Sequence, residues 1–403
     1  MVQDFYEAYE NLNVAPLRIA YLDNLSAISS AESLKEQEQL LTQLNDELKK
    51  TNKAKLNQRE QLEYDLLEKN VALHLERIAL EKSWHESDLD SIPAGGLATI
   101  SNGKAWYAYF LKRWIDFDVT PDQLYQFGLA ESKRVYKRMQ EVEQKSGMDS
   151  LAYQQFIQSD TFFYQDVSAV QQAFEAFSEE LGEQLPRYFP GVNQIPEVGI
   201  AEGQNARLAQ VPAFYSNGTF YYNVFDKPYN KRQIAWVYLH EALPGHHYER
   251  SYSRTLEQLP AQGVFYPPAY AEGWAAYVEE IGYEIGAYKN IYDELGKWEW
   301  DIIRSVRVAL DVGLNYYDWS DEKAITFWQQ YIQGKDDIAK REIARMKRWP
   351  CQVITYKYGA NKLLNWKARL EKVEGFTLKN FHEKVLQFGP LPYSILEKQL
   401  FDS

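Results

Sequence analysis

One cysteine, Cys351, stands in a chain of 403 residues. A single thiol forms no intramolecular disulfide and no cysteine-ligated zinc cluster, so a stapled scaffold and a zinc ribbon are both excluded. Positive charge is also in short supply: 44 Lys and Arg stand against 57 Asp and Glu, a net charge of −13. That balance excludes the basic footprint of a general nucleic-acid binder and repels anionic membrane surfaces. No apolar run reaches the roughly 18 residues of a membrane-spanning helix. The first 31 residues carry Asp4, Glu7 and Glu10 in place of the apolar segment of a signal peptide. As it stands the chain reads as cytoplasmic, or as periplasmic or secreted if a leader has been trimmed. Neither nucleic acid nor membrane is expected as a partner.

What is present suits a large globular core: 45% of residues are hydrophobic and 25% charged. Aromatics are plentiful, with 11 Trp, 30 Tyr and 19 Phe. They read first as packing between helices and second as a cleft for substrate side chains. Leu34, Leu41, Leu44 and Leu48 recur at helical spacing after Ser29-x-x-Glu32, which resembles a capping box. Leu62, Leu66, Leu73 and Ile78 continue the pattern. Thr120-Pro121 opens a helix that Gly147 should stop, and Val167–Leu185 reads as another. Near Pro190 the texture changes. Ser216-Asn217-Gly218-Thr219 separates two aromatic runs, the signature of a β-hairpin. From Asn230 the helical pattern returns. Helices are expected to Pro244 and over Tyr270–Ile285, Ile291–Tyr316, Glu322–Ile332, Ile338–Lys347, Gln352–Glu371 and Leu378–Leu386. The fold class is therefore mainly α: one helical domain over residues 1–403, with a helical half (1–190) and a half carrying the site (191–403). A small hairpin or sheet precedes the motif helix.

Histidine is scarce, with six in the chain, and His240, His246 and His247 fall within eight residues. The segment is His240-Glu241-Ala242-Leu243-Pro244-Gly245-His246-His247. His-Glu pairs also occur at His85 and His382 without further histidine nearby, which shows how common that dipeptide is by chance. An ordinary zinc helix places histidines four apart, on one face and about 6 Å along the axis, with glutamate beside the metal-activated water. Here position i+4 is Pro244. In an unbroken helix His246 would point away from His240, and His247 would lie roughly 10 Å along the axis. Pro244 has no N–H for the His240 carbonyl and crowds it, so the helix must kink or bulge, and Gly245 allows unusual dihedrals. A widened turn would bring His246 to the missing position. His246 is therefore favoured as second ligand, with His247 the alternative. Glu272, on the next predicted helix, is a third ligand or only a partner of the helix dipole.

The residues resemble the bacterial domain of unknown function 885 family, grouped with the gluzincin-type metallopeptidases. The match lies in four ordered blocks over about 120 residues: His240–His247, Glu272-Gly273-Trp274-Ala275, Arg307-x-x-x-Asp311-x-Gly313, and Pro350-x-Gln352-x-x-x-Tyr356-Lys357-x-Gly359. Asn315 and Cys351 depart from the histidine and glycine often found there, and the chain is shorter than many relatives. The resemblance implies a helical fold with a deep cleft, as in helical zinc carboxypeptidases and oligopeptidases. It implies Zn²⁺ held by His240, His246 and Glu272, with Glu241 as general base. The expected reaction is hydrolysis of a peptide or amide substrate. A zinc amidase on other substrates and an inactive helical scaffold are the competing readings. Tyr356, rather than Tyr358, is the candidate donor to the developing oxyanion. Tyr222, Asn223 and Gln352 are candidate substrate contacts, and the strand Phe220–Val224 is a candidate edge for an extended substrate. Arg304 and Arg307 are candidate clamps for a substrate carboxylate, or else structural partners of Asp311 or Glu279.

Overall fold

A computed structural model of the chain describes residues 2–12, 14, 28, 30–85, 95–116, 119–209, 211–225 and 228–401. The described residues are mainly helical with two small sheets. Ahead of the larger sheet come α1 (Val2–Glu10), α2 (Ala31–Lys50), α3 (Gln58–His85), α4 (Gly103–Trp114), α5 (Pro121–Lys145), α6 (Ser150–Ile157) and α7 (Val167–Gly182). After it come α8 (Ile234–Glu241), α9 (His246–Thr255), α10 (Pro260–Val264), α11 (Pro268–Glu280) and α12 (Ile291–Asn315). The chain continues through α13 (Asp321–Gln329), α14 (Asp336–Arg348), α15 (Thr355–Leu370), α16 (Leu378–Leu386) and α17 (Tyr393–Phe401).

Local chemistry explains the ends. Ser29 lies outside the described residues; α2 is capped instead by Ser30, whose hydroxyl accepts from the Ser33 N–H. The leucines at 34, 41, 44 and 48 form its buried stripe. Thr120 and Gln123 close a reciprocal capping box on α5, with Pro121 at the first position. Of the expected helices, Leu378–Leu386 falls where the pattern put it, and Ile291–Tyr316 is one residue shorter.

The hairpin forms where Asn217-Gly218 predicted it. β3 (Ala213–Ser216) pairs antiparallel with β4 (Thr219–Tyr222), and both turn residues have positive φ. A third strand, β2 (Gly199–Glu202), pairs parallel to the other side of β4, giving the order β2-β4-β3. The expected substrate edge at 220–224 is therefore not an edge, because both sides of β4 are already paired.

Apolar side chains gather in two clusters. One joins α1–α3, α7, the larger sheet, α8–α11 and α15–α17; the other joins α4–α6, α12–α14 and residues 351–354. Each cluster draws on both sides of residue 190, so the change of texture there divides no packing unit. From Asp301 to Asn315, α12 is buried on every side.

Charges also hold helices together. Arg134, Lys297 and Lys357 meet Glu131, Glu280 and Asp301 between α5, α11, α12 and α15. Lys357 Nζ lies 2.9 Å from both Glu131 and Asp301. Lys297 Nζ lies 2.9 Å from Glu280 and 3.1 Å from Asp301. Three cations balance three carboxylates. Burial opposes ionisation, but the cations hold Glu280 down to about 2 and Asp301 lower still.

Candidate metal centre

α8 ends at Glu241. Ala242, at φ −106 and ψ −108, is no longer helical. The Leu243–Pro244 peptide is cis, and a new helix starts at His246. The expected bulge is thus a full break, two helices instead of one distorted one. Gly245 serves by close approach and not by left-handed backbone. Its φ is −79, and a Cβ there would come within 2.0 Å of the His240 carbonyl oxygen. Across the break, Trp274 donates its indole N–H to the Pro244 carbonyl at 2.8 Å. The first and second sequence blocks are thereby tied together.

The break turns His246 back towards His240. Their rings stand 4.8 Å apart at 81°. Glu272, from α11, completes a group whose ligand atoms all lie within 4.8 Å of one another. Glu272 Oε2 is 3.6 Å from His240 Nε2 and 3.5 Å from His246 Nε2. These separations are too long for good hydrogen bonds. Oε2 is buried and accepts none. Two imidazole nitrogens and an unsatisfied carboxylate oxygen make the N₂O set of a catalytic zinc site, so the residues fit the ion. Burial opposes the carboxylate, yet the two imidazoles hold Glu272 well below its usual range. Burial likewise opposes a charged His240, but Glu272 and Glu279 outweigh it and raise the group to about 9.

The sequence named Glu279 only as a structural partner for Arg304 or Arg307, which it is for Arg304, and not as a partner of His240. Glu279 is wholly buried, and its Oε1 lies 2.6 Å from His240 Nδ1. In the neutral ring, Nδ1–H donates to this carboxylate and Nε2 keeps a lone pair facing His246 and Glu272, the arrangement typical of metal-ligating histidine. Arg304 grips the same carboxylate, with one nitrogen 2.7 Å from both oxygens. A signal existed: Glu279 is seven residues after Glu272, two turns along the same helix face.

The third and fourth blocks reach the centre through α12 and α15. Gly273 and Gly359 let α11 and α15 touch backbone to backbone; a Cβ on Gly273 would lie 2.6 Å from Gly359 Cα. Glu272 and Tyr356 flank this contact. The Tyr356 ring stacks with His240 at 6.1 Å and 20°. Arg304 and Arg307 lie 5.2 and 5.5 Å from its centroid. Burial and the Glu272 charge raise the phenol, while Arg345, Arg307 and Gln352 act the other way. The net shift is upward, so Tyr356 keeps its proton as a donor. Gln352 accepts from Arg345 at 2.7 Å beside it. Arg345, half-buried, is a residue missed from sequence. Glu241 is half-buried at the end of α8 and makes no hydrogen bond or ion pair with the described residues.

Other expected site residues lie elsewhere or are committed. His247 points away: its ring nitrogens contact the Tyr215 hydroxyl at 3.1 Å and the Pro196 carbonyl at 2.7 Å. Tyr222 is a core residue, stacked on Phe174 with its hydroxyl on Gln171, and is no substrate contact. Asn223 spends its amide N–H groups on the Leu208 and Val211 carbonyls, both at 2.8 Å, so it offers no free donor. Arg304 and Arg307 are each 2% exposed. Arg304 is bound to Glu279, and Arg307 to Glu342 at 2.8 Å. Neither is a free clamp, and Asp311 pairs with neither; it accepts from the Tyr107 hydroxyl and the Cys351 N–H. Cys351 sits at φ +70, which explains why glycine suits that position. Lys357, from the fourth block, serves the charge network and not the centre.

No curated protein matches the sequence. The fold is shared with two solved structures. One is a candidate lipoprotein from Colwellia psychrerythraea, with TM-score 0.70 and 22% identity, covering 94% of this chain and 68% of that one. The other is a candidate lipoprotein of unknown function from Shewanella oneidensis, with TM-score 0.55 and 19% identity, covering 99% of this chain and 81% of that one. At such identities the likeness is one of fold. These neighbours overturn the cytoplasmic reading: both are described as lipoproteins, so the composition of residues 1–31 does not fix the compartment. Among the described residues, no helix is long and apolar enough to cross a membrane. The family model for bacterial proteins of unknown function DUF885 matches residues 90–400, a span that takes in the break, the candidate ligands His240, His246 and Glu272, and Tyr356, and the chain belongs to that family.

Proposed function

We propose that the protein is a zinc-dependent hydrolase that cleaves peptide bonds. The observation that carries this reading is the convergence of His240, His246 and Glu272 within 4.8 Å, with His240 already oriented by the buried Glu279 carboxylate. Zinc, when bound, supplies a Lewis acid for the scissile carbonyl and lowers the pKa of water.

The chain's own residues supply the rest. Glu241, next to His240, accepts the proton of the attacking water and returns it to the leaving amine. Tyr356 donates its hydroxyl to the carbonyl oxygen as negative charge develops. Gln352 and Arg345 hold that phenol in place. Glu279, fixed by Arg304, holds the His240 ring and its tautomer. His247 acts through Tyr215 and Pro196, fastening the start of α9 to β3 and the segment before β2.

The experiment is a peptide-library digest in the presence of zinc, with products read by mass spectrometry. Cleavage that requires zinc and is lost in Glu241→Gln supports the reading. Zinc-loaded protein that cleaves no peptide in the library contradicts it.

A further inference from the structure

Outside the metal centre, one carboxylate lacks the partner its burial demands. Glu249, on α9, is 3% exposed. It makes no hydrogen bond or ion pair with any described residue. A buried carboxylate without a counter-charge is costly, and such groups are normally paired. Burial pushes this one up to about 7, with Arg250 opposing.

Glu249 also lines a pocket of about 520 Å³ that includes none of His240, His246 and Glu272. Trp114, Tyr266, Pro268 and Pro390 give the pocket apolar walls, and Arg254 stands at its rim. Arg254 is exposed and makes no hydrogen bond or ion pair with the described residues. Arg250 also lines the pocket, but it lies over the Tyr215 ring at 5.3 Å. The pocket thus offers a buried negative group in Glu249 and, in Arg254, a positive group that makes no hydrogen bond or ion pair with the described residues. Five residues along a helix separate them by about 7.5 Å of axial rise. They also leave the helix about 140° apart, so they form no direct pair, and a ligand that meets both must carry a charge at each end and lie across the pocket they share. Aromatic rings beside a carboxylate suit an ammonium group, since both attract a cation. Neither a simple amine nor a simple anion would use both groups.

We propose that this pocket binds a free α-amino acid with an apolar side chain, its ammonium group on Glu249, its carboxylate on Arg254 and its side chain against the aromatic and proline walls. No part of this requires zinc or hydrolysis, so the pocket and the metal centre stand or fall separately.

Calorimetric titration of the full chain with L-phenylalanine, with and without EDTA, tests it. Phenethylamine and hydrocinnamate, each lacking one charge, serve as comparisons. The expected result is saturable binding of L-phenylalanine that EDTA leaves unchanged. Each analogue should bind at least tenfold more weakly, and Glu249→Gln and Arg254→Gln should each weaken binding at least tenfold. Arg254 is exposed, so its variant remains informative even if Glu249→Gln fails to fold. No saturable binding at millimolar L-phenylalanine, binding abolished by EDTA, or binding unaltered by Arg254→Gln would each overturn the proposal.

Discussion

Side chains alike in sequence have unlike work in the structure, and substitution separates them. Glu241→Gln keeps the size of the side chain and removes the base. It should leave zinc content unchanged and lower peptide turnover by roughly 10²- to 10⁴-fold, measured by steady-state kinetics and elemental analysis. Retained turnover would remove Glu241 from the reaction. His246→Ala takes away a ligand, whereas His247→Ala removes only contacts to Tyr215 and Pro196. The first should abolish tight zinc binding. The second should leave it intact and cost about 1–2 kcal/mol of stability, seen in denaturant unfolding. Glu279→Gln should weaken zinc binding by about 10- to 100-fold in a chelator competition, because the ring of His240 loses its charged anchor. At this scale the sequence was legible where spacing was odd: His240 and His246 stood out because a proline interrupts a known pattern, whereas Glu272 stood out only through the family resemblance. It was silent on commitment. Nothing in the letters distinguishes Arg304, locked on Glu279, from an arginine free to meet substrate, because its partner lies 25 residues away.

Elements place these residues through a few close contacts. α11 and α15 meet at Gly273 and Gly359, where any side chain would collide with backbone. Gly359→Ala should destabilise the protein by about 1–3 kcal/mol by overpacking. It should also lower turnover more than zinc content, because it separates Tyr356 from Glu272. Equal stability of variant and wild type would refute that contact. Lys357→Met would leave three carboxylates with two cations, Arg134 and Lys297, and should cost about 3–5 kcal/mol, while leaving zinc affinity unchanged if refolded. Helix limits and the hairpin were readable because caps, Asn-Gly and periodicity are local signals. The parallel strand β2 was not, because its pairing with β4 is made across a long stretch of chain, and that pairing removed the expected substrate edge. The complete break at Pro244 also exceeded the expected bulge, since its shape depends on Trp274 from another helix.

Across the whole molecule, buried titratable groups oppose one another. Burial pushes His382 down to about 3, although the Tyr188 carbonyl favours its charged form. Its unfolded value near 6.5 is higher, so between these values the unfolded chain binds more protons, and stability is lost as pH falls below about 6.5. Burial pushes Asp311 up to about 7, with Tyr107 and Cys351 as opposing donors. Here the folded chain binds more protons, so stability is lost as pH rises from the ordinary carboxylate range towards 7. Relative to wild type, His382→Gln should therefore tilt the stability curve downwards as pH rises from 5 to 6.5. Asp311→Asn should tilt it upwards, each by about 1.4 kcal/mol per pH unit at most. Parallel curves for either variant would show that its group does not titrate as its burial demands. The mainly helical class was legible in composition and period. The two interleaved apolar clusters were not, because each is assembled from segments far apart in the chain, on both sides of residue 190.

The proposed zinc site rests on the broken helix at Pro244, which brings His246 to His240 and Glu272. Elemental analysis of protein purified without chelator, set beside His246→Ala, tests it most directly. One zinc per wild-type chain and almost none in the variant is expected. Wild-type protein that carries no zinc and takes up none at micromolar concentration would contradict it.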